Sequence, residues 1–390
     1  MDAMMELKGI TWDHERGYNP LIPVTEDFCR ANPGVSITWA KRSLKDFGDY
    51  PVSKLAEHYD LIMIDHPFMA EALRENLLVP LNEHLSPGYL DKLNRDTMGL
   101  SLDSYCVDGT YLGLPVDAAT QVAAANTERM RRAGASVPAK FDQVLALKEK
   151  LGPNRIGTAM APTDIFSTYL GFVAQLSGRS YFDPAVGIDL GKGEQAAARL
   201  YELADASHPD SFEMNPIQLL DAMAEREEIL YTPYLYGYTN YSRDGFRAHL
   251  LEFFDAPLLT PDAEVSTQLG GVGISITHRV TPEQLPIAVA FAEYLASPEV
   301  QRGVYTKADG QPAARSAWMD GENNRITHNF FRNTAHTLDT AFLRPKVVRW
   351  NQFQEAEGER IHRQVKERAS CQSIAEGFNK LYQEICASGS

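Results

Sequence analysis

Between Asp60 and Asp65 the chain runs Leu61-Ile62-Met63-Ile64, an apolar side chain at every position. A strand with one wet face alternates polar and apolar residues. A run without alternation is covered on both faces, as in a parallel sheet between layers of helix. The pattern around it agrees. A short strand, Leu7 to Trp12, leads into the loop WDHERGYNP and a helix that ends near Ala31. Asn32-Pro33-Gly34 makes a turn before a second strand, Val35 to Trp39, and a charged helical stretch leads to the apolar run. A helix from about Phe68 to Glu75 and the segment Leu78-Val79-Pro80-Leu81 close the unit. Strand and helix in alternation predict an α/β fold with a parallel sheet and right-handed crossovers.

At 390 residues the chain is long enough for two or three domains of ~150 residues, or for one fold of two lobes. From about Pro138 to Leu259 helix dominates, with apolar spacing over Lys140 to Leu151, Ile165 to Leu176, Glu194 to Ala204 and Pro216 to Arg226. Strand character returns over Leu258 to Ile276, followed by a helix over Pro286 to Leu295. Two helices, Asn351 to Arg368 and Ser370 to Cys386, end the chain, with Ser370 as N-cap. No linker is long enough to separate independent domains, so the segments interleave.

The 52 acidic residues outnumber the 37 basic ones, and a net charge of −15 repels phosphate backbones. The basic groups Arg129, Arg131 and Arg132, and the run Arg360 to Arg368, read as solvated helix faces, so no nucleic-acid partner is expected. No window approaches 18 consecutive apolar residues, so no membrane insertion is expected. Met1 to Ile10 lacks the basic start and apolar core of a signal peptide. The sequence as given therefore reads as cytoplasmic, or as periplasmic or extracellular with a signal removed. Cys371 and Cys386 share one helix, too far apart to pair, and the thiols read as small buried hydrophobes. No GxGxxG, P-loop, GxSxG or HExxH pattern is present, so no cofactor and no metal site is expected.

Three stretches carry a family resemblance: YDLIMIDHPFMAEALRENLLVPLNEHL (59–85), GTYLGLPVDAATQVAAANTERMRRAG (109–134), and GGVGISITHRV with the helix and ASPEVQ that follow it (270–301). In order and spacing they resemble the extracellular solute-binding proteins of ABC transporters, in the carbohydrate-binding cluster. The resemblance implies a two-lobe α/β fold of the periplasmic-binding-protein type II, with lobes linked by hinge strands around a central ligand cleft. It implies lobe one over 1–115 and 275–325 and lobe two over 116–274 and 326–390. It also implies an ABC permease as partner if the chain is exported.

In an open parallel sheet, ligands sit beyond the carboxyl ends of strands where strand order reverses. With order 2-1-3 the switch lies between the first and third strands, and both end in Asp-His: Asp13-His14 and Asp65-His66. Three readings compete for these pairs. They bind ligand hydroxyls, they cap and pack the following loops, or they serve a metal or acid-base chemistry with His14 or His66 as base and Asp13 or Asp65 as orienter. In the same loop Trp12 offers a platform for a sugar ring and Arg16 a grip on a carboxylate; alternatively Arg16 pairs with Glu15 or Asp13 at the surface. In the second lobe LYTPYLYGYTNYS (230–242) is rich in tyrosine, and Tyr234 and Tyr236 are the candidates for ligand contact. Asp117, Thr120 and Gln121 fall on the first crossing, and Gly271 on the return crossing allows close backbone approach. Arg315, Trp318 and Trp350 are weaker candidates.

The expected function is binding of a small polar solute, carbohydrate-like or a hydroxy acid, by hinge closure. The alternative is a cytoplasmic enzyme on the same fold, an isomerase or lyase using Asp and His on a sugar-like substrate. A cytoplasmic sensor that binds solute and then a regulator is a third possibility.

Overall fold

The structure, a computed structural model, describes residues 4–43, 51–226 and 228–386. Its strands of three residues or more are β1 (Met5–Trp12), β2 (Val35–Arg42), β3 (Leu61–Ile64), β4 (Leu114–Ala125), β5 (Tyr231–Tyr236), β6 (Glu252–Phe254) and β7 (Leu269–Ile276). Its longer helices are α1 (Leu21–Ala31), α2 (Phe141–Leu151), α3 (Pro162–Ser177), α4 (Leu190–Ala206), α5 (Pro216–Glu225), α6 (Leu285–Ala296), α7 (Phe330–Asp339), α8 (Trp350–Lys366) and α9 (Cys371–Ile385).

The chain divides into two compact units. The first comprises Met1–Ala119, Gly270–Asn324 and Lys346–Asn351, and the second Thr120–Leu269, Arg325–Pro345 and Gln352–Ser390. The division falls within β4 at 119/120 and within β7 at 269/270. The chain returns briefly to the first unit at Lys346–Asn351. All twelve residues of β4 are buried, so its sequence carries no alternation that could mark where one unit ends.

In the first unit β1 pairs in parallel with both β2 and β3, giving the order 2-1-3. β7 adds antiparallel to β3, with Leu61 opposite Ile276 and Ile64 opposite Gly273. Leu61, Ile62, Met63 and Ile64 are all buried, as a strand covered on both faces requires. Leu61 and Met63 pack with Leu21, Val24 and Phe28 of α1 and with Phe291 and Leu295 of α6, while Ile62 and Ile64 pack with Val52, Leu55 and Phe68. The helical stretch expected between Trp39 and Tyr59 falls partly at 44–50, outside the described residues; Val52–Ala56 is helical.

In the second unit the later half of β4 pairs antiparallel with β5 and β6. The expected strands over 258–276 reduce to β7, and Leu258 makes only an isolated bridge to Lys140. α3 is the central helix. Pro162 at its first turn presets the helical φ, and residues 164–175 are buried throughout. Phe166 stacks on Phe378 of α9 and meets Phe353 of α8 edge-on. Gly358 lets α8 approach closely, since a Cβ there would lie 2.5 Å from the Pro162 carbonyl. Ser370 caps α9 by accepting from the Ser373 amide, as its position predicted. Among the described residues no helix is long and apolar enough to cross a membrane.

Candidate functional site

β1 and β3 are neighbours and both end in Asp-His, so the first unit carries both pairs at the carboxyl end of its sheet. Their side chains take different roles. His14 N-caps the turn Glu15–Tyr18, its Nδ1 accepting from the Arg16 amide at 3.0 Å. Asp13 points outward, 58 % exposed, and pairs with Lys41 at 2.7 Å. Asp65 caps the next turn: its Oδ1 accepts from the His66 amide at 2.8 Å and lies 3.2 Å from His66 Nδ1. His66 is buried and Asp65 partly exposed. Capping thus accounts for much of the geometry of both pairs, while Asp65 with His66 also has the carboxylate-imidazole contact that acid-base chemistry would use.

Arg16 departs from both expectations. It is buried, and its guanidinium meets Asp117 in two bonds, Nε to Oδ2 at 2.7 Å and Nη2 to Oδ1 at 2.5 Å. It neither pairs with Asp13 or Glu15 nor presents a guanidinium left over for a solute carboxylate. Burial lifts the Asp117 carboxyl above its ordinary range and the charge of Asp65 adds to this, while Arg16 pulls it down. Trp12 is buried in the core with its indole against the backbone of Gly17, where a Cβ would lie 2.4 Å from the ring. Gly271 has φ +121°, and a Cβ there would sit 2.3 Å from the Asp117 carbonyl, so this position requires glycine. Trp318 and Trp350 are core residues; the Trp318 indole donates to the Pro312 carbonyl at 2.6 Å.

The candidates of the second unit share a buried polar network. Thr120 Oγ1 lies 2.6 Å from Thr267 Oγ1 and donates to the Gln268 carbonyl. Gln121 Nε2 donates to Thr168 Oγ1 at 3.1 Å. Gln268 Nε2 donates to Ser167 Oγ at 3.1 Å and to the Tyr236 hydroxyl at 2.8 Å. Tyr236 is the partly exposed tyrosine of β5. Tyr234, two residues earlier, is a core residue: its hydroxyl donates to the Pro257 carbonyl at 2.5 Å and its ring packs edge-on against Phe172.

Sequence reasoning missed Ser167, Thr168 and Gln268, and with them Asp164. A proline and an aspartate in the first turn of a helix look like ordinary helix-start signals, which hid Asp164. Gln268 stands one residue before β7, where only the following glycines drew notice. The dense tyrosines likewise hid Asn240, fully buried with neither amide atom partnered among the described residues.

Two α/β units built from interleaved segments, with polar side chains at strand ends in each, define a class of solute-binding fold. The sugar-binding protein MalE from the phytopathogen Xanthomonas citri superposes with a TM-score of 0.78 at 18 % identity, over 98 % of each chain. An ABC transporter solute-binding protein from Thermotoga lettingae, bound with α-D-tagatose, superposes at 0.79 with 16 % identity, over 97 % of this chain and all of that one. One from Agrobacterium radiobacter in complex with ribitol superposes at 0.77 with 16 % identity, over 98 % and 99 %. No curated protein matches by sequence. The chain belongs to the family of bacterial extracellular solute-binding proteins, whose model matches residues 12–302.

Proposed function

We propose that this chain binds a small polyhydroxylated solute, a sugar or polyol, and hands it to an ABC permease outside the cytoplasm. The observation that carries the ligand class is the network of the second unit. Gln121, Ser167, Thr168, Tyr236 and Gln268 are amides and hydroxyls, the groups that exchange hydrogen bonds with hydroxyls on a solute. The engagement of Arg16 by Asp117 argues in the same direction, because it withdraws the guanidinium that favoured a hydroxy acid or acidic sugar. Relatives of this fold are described with tagatose and with ribitol, both polyhydroxylated. Export to the extracellular side accords with the description of the family.

The enzyme reading keeps one specific support, the contact of Asp65 Oδ1 with His66 Nδ1 at 3.2 Å. One experiment separates the two. A metabolite extract is incubated with a trace of the purified chain and followed by mass spectrometry. Capture of one polyhydroxylated compound per chain, released unchanged on denaturation, supports binding. Consumption of a compound in large molar excess, with a new mass in its place, sinks the binder and makes the chain an enzyme. The hinge closure expected from the resemblance is checked on the captured compound by small-angle scattering, where saturation reduces the radius of gyration.

A further inference from the structure

We propose that Asp164 selects a solute bearing a protonated amine, so that the preferred molecule is an amine-bearing sugar or polyol rather than a neutral or acidic one. This deepens the solute-binding function proposed above and rests on it.

Asp164, Ser167 and Thr168 stand at i, i+3 and i+4 of α3 and share one side of that helix. Two glutamine amides lie against this side. Gln121 Nε2 is spent on Thr168 Oγ1, and Gln268 Nε2 on Ser167 Oγ and the Tyr236 hydroxyl. Ser167 Oγ in turn donates to the Thr163 carbonyl at 2.9 Å. Both glutamine amide nitrogens and the Ser167 hydroxyl are engaged as donors. Two acceptors stand out: Gln268 Oε1 is buried and has no hydrogen-bond partner among the described residues, and Asp164, 7 % exposed, has no neighbouring charge to offset its burial.

A buried carboxylate without a partner is costly, and it neutralises by taking up a proton or a cation. Burial alone lifts Asp164 to about 7, with no neighbouring charge contributing. An ammonium carries three donors and no acceptor, which complements these two acceptors. A hydroxyl can donate to either acceptor but leaves the charge uncompensated. A carboxylate would add acceptors and a second negative charge to a place that already has both.

The test uses the full chain at pH 7 with matched probes: D-glucitol against 1-amino-1-deoxy-D-glucitol and D-gluconate, and D-glucose against D-glucosamine and D-glucuronate, by isothermal titration calorimetry. The expected result is an amine that binds about tenfold tighter or more than its neutral partner, with the acids weakest. Asp164→Asn removes that preference, and circular dichroism establishes that the variant is folded. A second measurement needs no variant. Titrations in two buffers of different ionisation enthalpy show net release of protons on binding of the strongly basic 1-amino-1-deoxy-D-glucitol, because the ammonium displaces the proton that burial favours on Asp164. Neutral sugars that bind as tightly as amines, an amine preference that survives in Asp164→Asn, or absence of proton release overturns the inference. Capture of a neutral sugar from the metabolite extract overturns it too and leaves the function proposed above standing. If no probe binds and the extract yields no polyhydroxylated compound, that function falls as well.

Discussion

Arg16 and Asp117 stand 101 positions apart in the chain and meet in a buried, two-point ion pair within the first unit. A pair this deep has lost its hydration on both sides, and each partner now depends on the other. The loop after β1 is thereby tied to the first half of β4. Asp117→Ala leaves a buried guanidinium uncompensated, so a loss of about 3–5 kcal/mol in urea unfolding is expected. Arg16→Met combined with Asp117→Leu removes both charges together and recovers most of it. A cost below about 1 kcal/mol for the single variant, as for an exposed pair, contradicts the assignment.

Gly271 touches the same aspartate from β7. Its φ of +121° and the 2.3 Å that would separate a Cβ from the Asp117 carbonyl leave no place for a side chain. Gly271→Ala therefore forces backbone apart in addition to backbone strain of order 1–3 kcal/mol. The expected readout is a melting temperature several degrees lower, with a loss at least as large as that strain. A neutral substitution would show that β4 and β7 can separate there without cost.

The pH dependence of the second unit should run opposite to that of an ordinary acidic protein. Burial lifts Asp164 to about 7, and lifts Glu357 to about 7 despite its bond to Arg360. Folded carboxyls with raised pKa hold protons that the unfolded chain has released. Their contribution is complete below the ordinary carboxylate range and is lost as pH rises from about 4 through 7. For Asp164 this loss amounts to roughly 4 kcal/mol at most. Melting temperature should fall between pH 5 and 8, and Asp164→Asn should flatten that fall by raising stability at the alkaline end. A wild-type profile that rises across this window contradicts the assignment.

Tyr234 and Tyr236 separate packing from binding on one strand. Tyr234→Phe removes a buried hydrogen bond to the Pro257 carbonyl and should cost about 1 kcal/mol of stability with affinity for the captured solute unchanged. Tyr236→Phe removes the acceptor of Gln268 Nε2 and should weaken affinity with little change in stability. The reverse pattern, with Tyr234 governing affinity, would move the recognition surface to the other tyrosine.

Local pattern made most of the fold legible. The unbroken apolar run 61–64 specified a strand covered on both faces, alternation of elements specified a parallel sheet, and serine before an amphipathic stretch specified the cap of α9. These features depend on neighbours a few residues apart, and a linear sequence displays them. The candidate site was legible only as residue types. Arg16 looked like a ligand for carboxylates because nothing in its own segment reveals a partner 101 residues away. Trp12 looked like a stacking platform because burial against Gly17 depends on how the loop turns back.

What the sequence by itself determined about this protein was the order and nature of its elements, and through three stretches its resemblance to a family. Tertiary structure alone decided which charges cancel and which acceptors remain without donors. The physical reason is range. Hydrophobic periodicity and capping act within a turn or two of the chain, whereas the state of Arg16, Asp117, Asp164 and Gln268 is set by desolvation and by hydrogen bonds from distant segments.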